Sequence, residues 1–297
     1  MVSEASPDGG FPRPCVITAG VMKGGDCKTW TALNLASRLG CMGYRVTAVD
    51  LNQTSDLYSD WERIKRSGYW PRFDVVTFPP IANGVLRSGL NLEPLSDRDF
   101  IILDTAQYIQ FKTTDWAWRN CHMMIMPVTP NAQQFGNYIA GIEFLRSLPR
   151  PRPIVAILPC KLNKMRNQVA DQQLDDLLEQ WRTLAEEGIL VPPMRSSDLR
   201  IPEDKVVQSM YTRWIYSVVE YRGKPRHLSN DFLLRVDLSL TWLVHVLSHH
   251  WGSLPAPSLD PISVSPYDRA VTVKALKAEW ETRMSAEATA GLVRRDE

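Results

Sequence analysis

The sequence of 297 residues lacks paired cysteines, a long apolar run and a large net charge. Its five cysteines are odd in number and irregularly spaced, with no CxxC pair. This argues against a zinc ribbon or a disulfide framework, and it fits a reducing cytoplasm. No stretch of about 18 apolar residues occurs, so we expect no transmembrane helix and no membrane partner. With a net charge of +1, binding to nucleic acid would require a local basic patch.

Both ends of the chain differ in composition from the middle. Residues 1–14 are polar and rich in proline and glycine, and they lack the order of a signal peptide, so we expect a flexible leader. Residues 252–266 are rich in proline and serine and predict a linker. Residues 267–297 predict a C-terminal helix and tail. The apolar stripe of this helix is narrow, which favours docking on its own domain or on a partner helix over a membrane anchor.

Between these ends, residues 15–251 predict one α/β domain with a helical C-terminal region. Short apolar runs predict strands at 15–21, 45–51, 73–78, 99–105, 122–128, 154–159 and 189–193. Helical spacing predicts helices from residue 29 and at 56–66, 133–147, 166–188, 203–220 and 230–250. The apolar runs are continuous, which is typical of a doubly wound, mostly parallel sheet with helices on both faces. Ligands bind at the carboxyl ends of such strands, so the loops after residues 21, 51, 105 and 129 should face one site.

The segment between the first strand and the first helix carries a phosphate-binding pattern. Residues 23–29 read Lys-Gly-Gly-Asp-Cys-Lys-Thr. A polyphosphate loop needs little side-chain bulk, a lysine for the outer phosphates, a hydroxyl for Mg²⁺ and a helix N-terminus. Lys28 is the expected phosphate lysine and Thr29 the expected Mg²⁺ ligand. Gly24 and Gly25 allow the backbone to approach the phosphates closely.

This loop differs from the ordinary P-loop pattern G-x-x-x-x-G-K-[ST], because Met22 and Cys27 occupy its glycine positions. It resembles the deviant Walker A box of the ParA/MinD ATPases, K-G-G-x-G-K-[ST], from which Cys27 is the one departure. In that family the signature lysine, here Lys23, reaches the nucleotide of the partner subunit in an ATP-sandwich dimer. The resemblance implies a P-loop NTPase fold with a nucleotide site formed by Lys23, Gly24, Gly25, Asp26, Cys27, Lys28, Thr29 and Trp30.

Two further segments resemble the same family. Residues 49–61 resemble its switch I segment, D-x-D-P-Q-G-S followed by Trp, with Asp50 on the first acid and Asn52 in place of the second. Residues 100–106 match the Walker B strand and keep its Asp104. The resemblance implies the cofactors ATP and Mg²⁺. It further implies catalytic roles for Lys23, Lys28, Asp50 and Asn52, and metal binding by Thr29, Asp50 and Asp104.

Two of these positions predict slow chemistry. Asn52 can orient a water molecule but cannot accept its proton, so we expect a weak ATPase. Cys27 adds a Cβ atom where the backbone meets phosphate. This is tolerable at a negative φ and costs about 1–2 kcal/mol at a positive φ.

The C-terminal half contains one strongly basic stretch and one group of histidines. ParA proteins bind DNA non-specifically through basic residues of this region, and a solvated surface with ion pairs is an equal alternative. His245 and His249 have a helical spacing that can bind zinc, but no third ligand is evident and exposed helix histidines are expected. The basic residues that resemble a DNA-contacting patch are Arg213, Arg222, Lys224, Arg226 and Arg235.

The leading functional hypothesis is a cytoplasmic, nucleoid-associated ATPase of the ParA kind. It would form a homodimer on binding ATP, bind DNA non-specifically, and position a plasmid, chromosome or other cargo with a ParB-like or other stimulating partner. The alternative is a nucleotide-dependent dimeric scaffold or regulator with little or no hydrolysis. A third reading is a metabolic or reductase relative on the same scaffold. An iron–sulfur reductase would need a cysteine pair at the dimer axis, and a second cysteine to accompany Cys121 is missing.

Overall fold

The computed structural model describes most of the chain from Phe11 onward, in separate ranges. These are residues 11–20, 27–52, 54–77, 90–106, 112–128, 153–160, 230–262 and 269–293, with scattered residues between 140 and 226. The predicted strand at 189–193 lies outside the described residues, as does most of the predicted helix at 166–188.

Within the described residues, six parallel strands form one sheet. Their order is β3-β2-β4-β1-β5-β6, so β1 lies between β4 and β5. Every residue of β1, β2, β4 and β5 is buried, as the continuous apolar runs predict. The predicted parallel α/β fold is therefore confirmed. The strands are β1 (Cys15–Ala19), β2 (Val46–Asp50), β3 (Asp74–Thr77), β4 (Phe100–Asp104), β5 (Met123–Val128) and β6 (Ile154–Pro159).

The helices confirm the predictions from residue 29, at 56–66 and at 230–250. The helix α3 was not predicted, because its eight residues include two threonines and two tryptophans, which are weak helix formers. None of the helices within the described ranges has both the length and the hydropathy needed to cross a bilayer. The bounds are α1 (Lys28–Cys41), α2 (Asp56–Arg66), α3 (Lys112–Arg119), α4 (Asn230–Trp251) and α5 (Arg269–Val293).

The predicted helix at 203–220 is wrong at its end. Val219–Tyr221 forms the strand β7, which pairs antiparallel with β8 (Lys224–Arg226). Val219 and Tyr221 are a β-branched and an aromatic residue on either side of a glutamate, and this alternation favours a strand. Of the earlier residues of the predicted helix, the structure describes Trp214, which is buried and lies in neither a helix nor a strand, so the prediction is wrong there too.

The end of the predicted leader packs on the domain. The ring of Phe11 lies edge-on to Phe100 of β4, with centroids 5.7 Å apart, and to Trp251 of α4, at 5.9 Å. The aromatic ring of Phe11 therefore packs between a strand and a helix, although composition placed this residue in the leader.

The predicted linker is also packed, against the end of α1. The N–H of Leu259 donates to the carbonyl of Gly43 at 2.8 Å, and the N–H of Ile262 donates to the carbonyl of Cys41 at 2.7 Å. A Cβ atom on Gly43, whose φ is +92°, would lie 2.2 Å from the carbonyl oxygen of Leu259. Glycine is needed there for its backbone conformation and for this close approach.

The helix α5 docks on its own domain, which decides between the two alternatives for the C-terminal helix. Trp280 stacks on Trp70, with ring centroids 6.4 Å apart and an interplanar angle of 13°. The guanidinium of Arg72 pairs with Glu279 of α5 at 3.2 Å and donates to the carbonyl of Asp260 at 2.8 Å. One buried arginine thus joins both the linker and α5 to the sheet domain.

Trp280→Ala should lower the free energy of unfolding by about 1–3 kcal/mol, because the indole loses its stacking on Trp70 but is only partly buried. Met284→Ala is the matched control on the same helix, since Met284 is 41% exposed and should change stability by less than about 0.5 kcal/mol. Urea denaturation of the full chain measures both. Equal losses in the two variants would contradict the docking of α5 through Trp280.

Candidate functional site

The carboxyl ends of three adjacent strands bring the predicted acidic residues together. Asp50 ends β2 and Asp104 ends β4, and the two are direct register partners. Ala19 at the end of β1 pairs with Asp104 on its other side. The hydroxyl of Thr105 donates to the carbonyl of Ala19 at 3.0 Å, which fixes the end of β4 against β1. The site therefore lies where the order of the sheet reverses, as expected for an open α/β fold.

The N-terminus of α1 faces this sheet edge with two of the predicted ligands. Lys28 is the first residue of α1 and is only 7% exposed, and Thr29 follows it half-buried. The first turn of α1 contains no acidic residue, and its N-cap residue makes no side-chain capping bond. The partial positive charge of this helix end is therefore available to an anion.

Cys27 is the N-cap residue of α1 and has a left-handed backbone conformation. Its φ is 60° and its ψ is 18°, and its carbonyl accepts the N–H of Thr31 at 2.8 Å. At this positive φ, a residue with a Cβ atom is destabilised by about 1–2 kcal/mol, whereas a negative φ would be tolerable. The conformation explains why the resembling motif has glycine here.

Asp104 is a fully buried carboxylate with unused acceptor capacity. Among the described residues, neither of its oxygens has a hydrogen-bond partner. Burial, together with the nearby charge of Asp50, raises the pKa of Asp104 to about 7, against the opposing effects of the Thr29 hydroxyl and the Lys28 ammonium. Buried polar atoms in proteins are normally paired. An unpaired carboxylate beside a threonine hydroxyl is a donor set that fits a hard divalent cation.

Asp50 is equally buried, but both of its oxygens are occupied. One accepts the N–H of Asn52 and the other the N–H of Tyr58, each at 2.9 Å. Burial raises the pKa of Asp50, and these backbone hydrogen bonds oppose the increase. Asn52, which was predicted to orient the attacking water, is half-buried.

The structure places only part of the predicted site. Cys27, Lys28, Thr29 and Trp30 lie together at the start of α1, and Trp30 is buried. The other predicted nucleotide-binding residues lie outside the described residues; these are Lys23, Gly24, Gly25 and Asp26.

The predicted DNA-contacting residues are not shown as one surface. Arg213 and Arg222 lie outside the described residues. Lys224 and Arg226 begin and end the short strand β8, and Arg235 is half-buried on α4.

His245 and His249 are exposed on α4, with ring centroids 6.3 Å apart. Their exposure agrees with the expectation of exposed helix histidines. Within the described ranges, no three His, Cys, Asp or Glu side chains come together as a possible metal site.

One contact at the site could not be predicted from the motifs. A Cβ atom on Gly20, the residue after β1, would lie 2.6 Å from Nε1 of Trp118. Trp118 is fully buried on α3 and has no hydrogen-bond partner for Nε1 among the described residues. The signal available in the sequence was the glycine that ends the first strand. Trp118 thus packs closely against Gly20, the residue that follows β1.

Comparison with known proteins identifies this architecture. No protein-family model matches the sequence, and no curated protein matches it either. Among solved structures, the pNOB8 ParA bound to nonspecific DNA matches with a TM-score of 0.54 and 18% identity, covering 80% of this chain and 98% of that one. A putative plasmid partition protein from Borrelia burgdorferi bound to AMPPNP matches with a TM-score of 0.53 and 14% identity, covering 79% and 99%.

A third structure extends the comparison beyond partition proteins. It is the cobyrinic acid a,c-diamide synthase from Mycobacterium smegmatis with a bound ATP analog and magnesium. Its TM-score is 0.52 at 16% identity, and the match covers 82% of this chain and 98% of the synthase. The chain therefore has the ParA-like P-loop fold that the motifs predict.

Cys27→Gly should be more stable than Cys27→Ala by about 0.5–1 kcal/mol, although both remove the thiol. Glycine relieves the left-handed conformation, and part of this gain is offset by the greater entropy of the unfolded chain. Denaturant unfolding without added ligand measures the difference. An alanine variant as stable as the glycine variant would contradict the positive φ at this position.

Asp104→Asn should remove a pH dependence of stability from the protein without added ligand. The raised pKa means that the folded protein binds more protons than the unfolded chain between about pH 4 and pH 7, so its stability falls as the pH rises through this window. We expect the stability of Asp104→Asn relative to wild type to increase by on the order of 2–4 kcal/mol from pH 4 to pH 8. Asp97→Asn, at an exposed carboxyl, is the control and should show no such increase.

Proposed function

We propose that this protein is a ParA-like ATPase that binds ATP with Mg²⁺. The observation that carries the proposal is the buried carboxylate of Asp104, which lacks a hydrogen-bond partner among the described residues and lies beside Lys28 and Thr29 at the N-terminus of α1. The likeness to structures that contain AMPPNP, or an ATP analog with magnesium, supports the same assignment.

The residues of the site would have different roles, which follow from their chemistry. Lys28 would place a buried positive charge where the outer phosphates would lie, at the N-terminus of α1. Thr29 and Asp104 supply the hydroxyl and carboxylate oxygens that would hold Mg²⁺. When bound, ATP supplies the γ-phosphoryl group and Mg²⁺ offsets its negative charge. Lys23 would contribute from the partner subunit of a homodimer.

Hydrolysis is expected to be slow, for two reasons. Asn52 can orient water but has no basic atom to accept its proton. Asp50, the acid nearest to it in sequence, already uses both oxygens for backbone hydrogen bonds. The same observation favours a second candidate, a nucleotide-dependent dimeric scaffold with little or no turnover. Single-turnover hydrolysis by the wild-type protein separates the two candidates.

The cellular part of the proposal is non-specific binding to DNA by the ATP-bound homodimer. A ParB-like or other stimulating partner would release the dimer, which would position a plasmid, chromosome or other cargo on the nucleoid in the cytoplasm. The support is the likeness to a ParA bound to nonspecific DNA. Five basic residues of the C-terminal half are the proposed contacts: Arg213, Arg222, Lys224, Arg226 and Arg235.

Lys28→Ala should abolish ATP-dependent retention on DNA, because the variant loses the buried charge that faces the phosphates. We expect nucleotide affinity and DNA retention to fall by at least about tenfold, the effect of losing one charge-assisted contact. Co-sedimentation with linear DNA, with and without ATP and Mg²⁺, measures retention. Lys277→Ala removes an exposed lysine of α5 and should leave it unchanged. Equal retention by wild type and Lys28→Ala would refute the proposal.

A further inference from the structure

The two acids at the sheet edge differ in what their oxygens contact. Asp50 and Asp104 are register partners on adjacent parallel strands, and both are buried. Each oxygen of Asp50 accepts one backbone N–H at 2.9 Å, from Asn52 and from Tyr58. Among the described residues, the oxygens of Asp104 accept none. Two acids in equivalent positions thus have different amounts of acceptor capacity left for a cation.

The start of α2 explains why Asp50 accepts backbone N–H groups. The N-cap residue of α2 is Ser55, which has a φ of 50° and makes no side-chain capping bond. The first N–H groups of a helix have no partner within the helix and are normally satisfied by such a cap. Tyr58 is the third residue of α2, so its N–H is the group that an ordinary N-cap side chain would accept. Asp50 accepts it from the end of the neighbouring strand instead.

The second hydrogen bond of Asp50 fixes the turn that contains Asn52. Its oxygen holds the N–H of Asn52, and the carbonyl of Asn52 in turn accepts the N–H of Ser55 at 3.1 Å. The carboxylate therefore holds both ends of the segment between β2 and α2. A carboxylate at this place also lies at the positive end of the α2 dipole, which stabilises its charge.

We propose that Asp50 is a positioning residue that acts as a remote N-cap of α2 and sets the place of Asn52, and that Asp104 is the carboxylate left to bind Mg²⁺. This differs from the direct metal ligation by Asp50 that the sequence resemblance implies. The Mg²⁺ half of the statement rests on the proposed function, whereas the capping half does not.

Asp50→Asn tests the capping role without a large change in volume. The amide has one oxygen acceptor, so one of the two N–H groups is left facing an NH₂ group. In the protein without nucleotide or Mg²⁺, we expect the amides of Asn52 and Tyr58 to exchange hydrogen at least about tenfold faster than in wild type, as for the loss of one charge-assisted hydrogen bond. Asp56→Asn, an exposed acid in the first turn of α2, is the matched control and should leave both rates unchanged.

The Mg²⁺ role is measured separately, with a fluorescent ATP analogue titrated at increasing Mg²⁺ concentrations. Asp104→Asn should lose the increase in affinity that Mg²⁺ gives to wild type, while its Asn52 and Tyr58 amides stay protected. Asp50→Asn should keep that increase to within about twofold, since its side chain does not reach the ion directly.

Loss of the Mg²⁺ effect in Asp50→Asn overturns the proposal, whatever its exchange rates. Unprotected Asn52 and Tyr58 amides in the wild-type protein also overturn it, and this result needs no variant to fold. If the wild type binds no nucleotide analogue at all, the proposed function fails, and the exchange measurements still decide the capping role on their own.

Discussion

The site depends on the parallel pairing of β2 with β4, which ends in two buried carboxylates side by side. Two like charges in a low-dielectric interior destabilise each other unless other groups compensate. In this protein the compensation is unequal. Two backbone N–H groups donate to the carboxylate of Asp50. The charged form of Asp104 is instead stabilised by the nearby Lys28 ammonium and Thr29 hydroxyl. The two identical side chains therefore differ in how many of their oxygens accept a hydrogen bond among the described residues.

The strands and helices around Asp50 and Asp104 pack against the ends of β2 and β4 or against one another. The strand β1 lies against β4 and is fixed at its end by the Thr105 hydroxyl. Trp118 lies behind Gly20, so the segment that leaves β1 starts from a tightly packed position. The helix α1 then presents Lys28 and Thr29 to the acids. Each of these contacts is made at or next to the end of a strand or helix.

The sequence predicted the sheet and the acids well, because both are local patterns. Continuous apolar runs mark buried strands, and Asp50 and Asp104 each follow such a run directly. The bounds of α2 at 56–66 were predicted to the residue, since its charges and apolar residues alternate at helical spacing. The short strand β7 was missed, because a three-residue element contains too little pattern to outweigh a longer helical one.

What could not be predicted arises from contacts between distant residues. The positive φ of Cys27 follows from how α1 meets the sheet, and a cysteine gives no local signal for it. The hydrogen bonds of Asp50 depend on the path of the chain between β2 and α2. The packing of residues 257–262 depends on Gly43 and Arg72, which lie about 200 residues earlier.

The helix α1 connects the contact with residues 259–262 to the candidate site. One end of α1 carries Lys28, and the other ends at Cys41, whose carbonyl holds Ile262. Fourteen residues of helix form a stiff rod roughly 20 Å long between these points. A rigid shift of α1 along its axis would stretch the backbone hydrogen bonds to Leu259 and Ile262, so the linker is fastened to the end of the helix opposite Lys28.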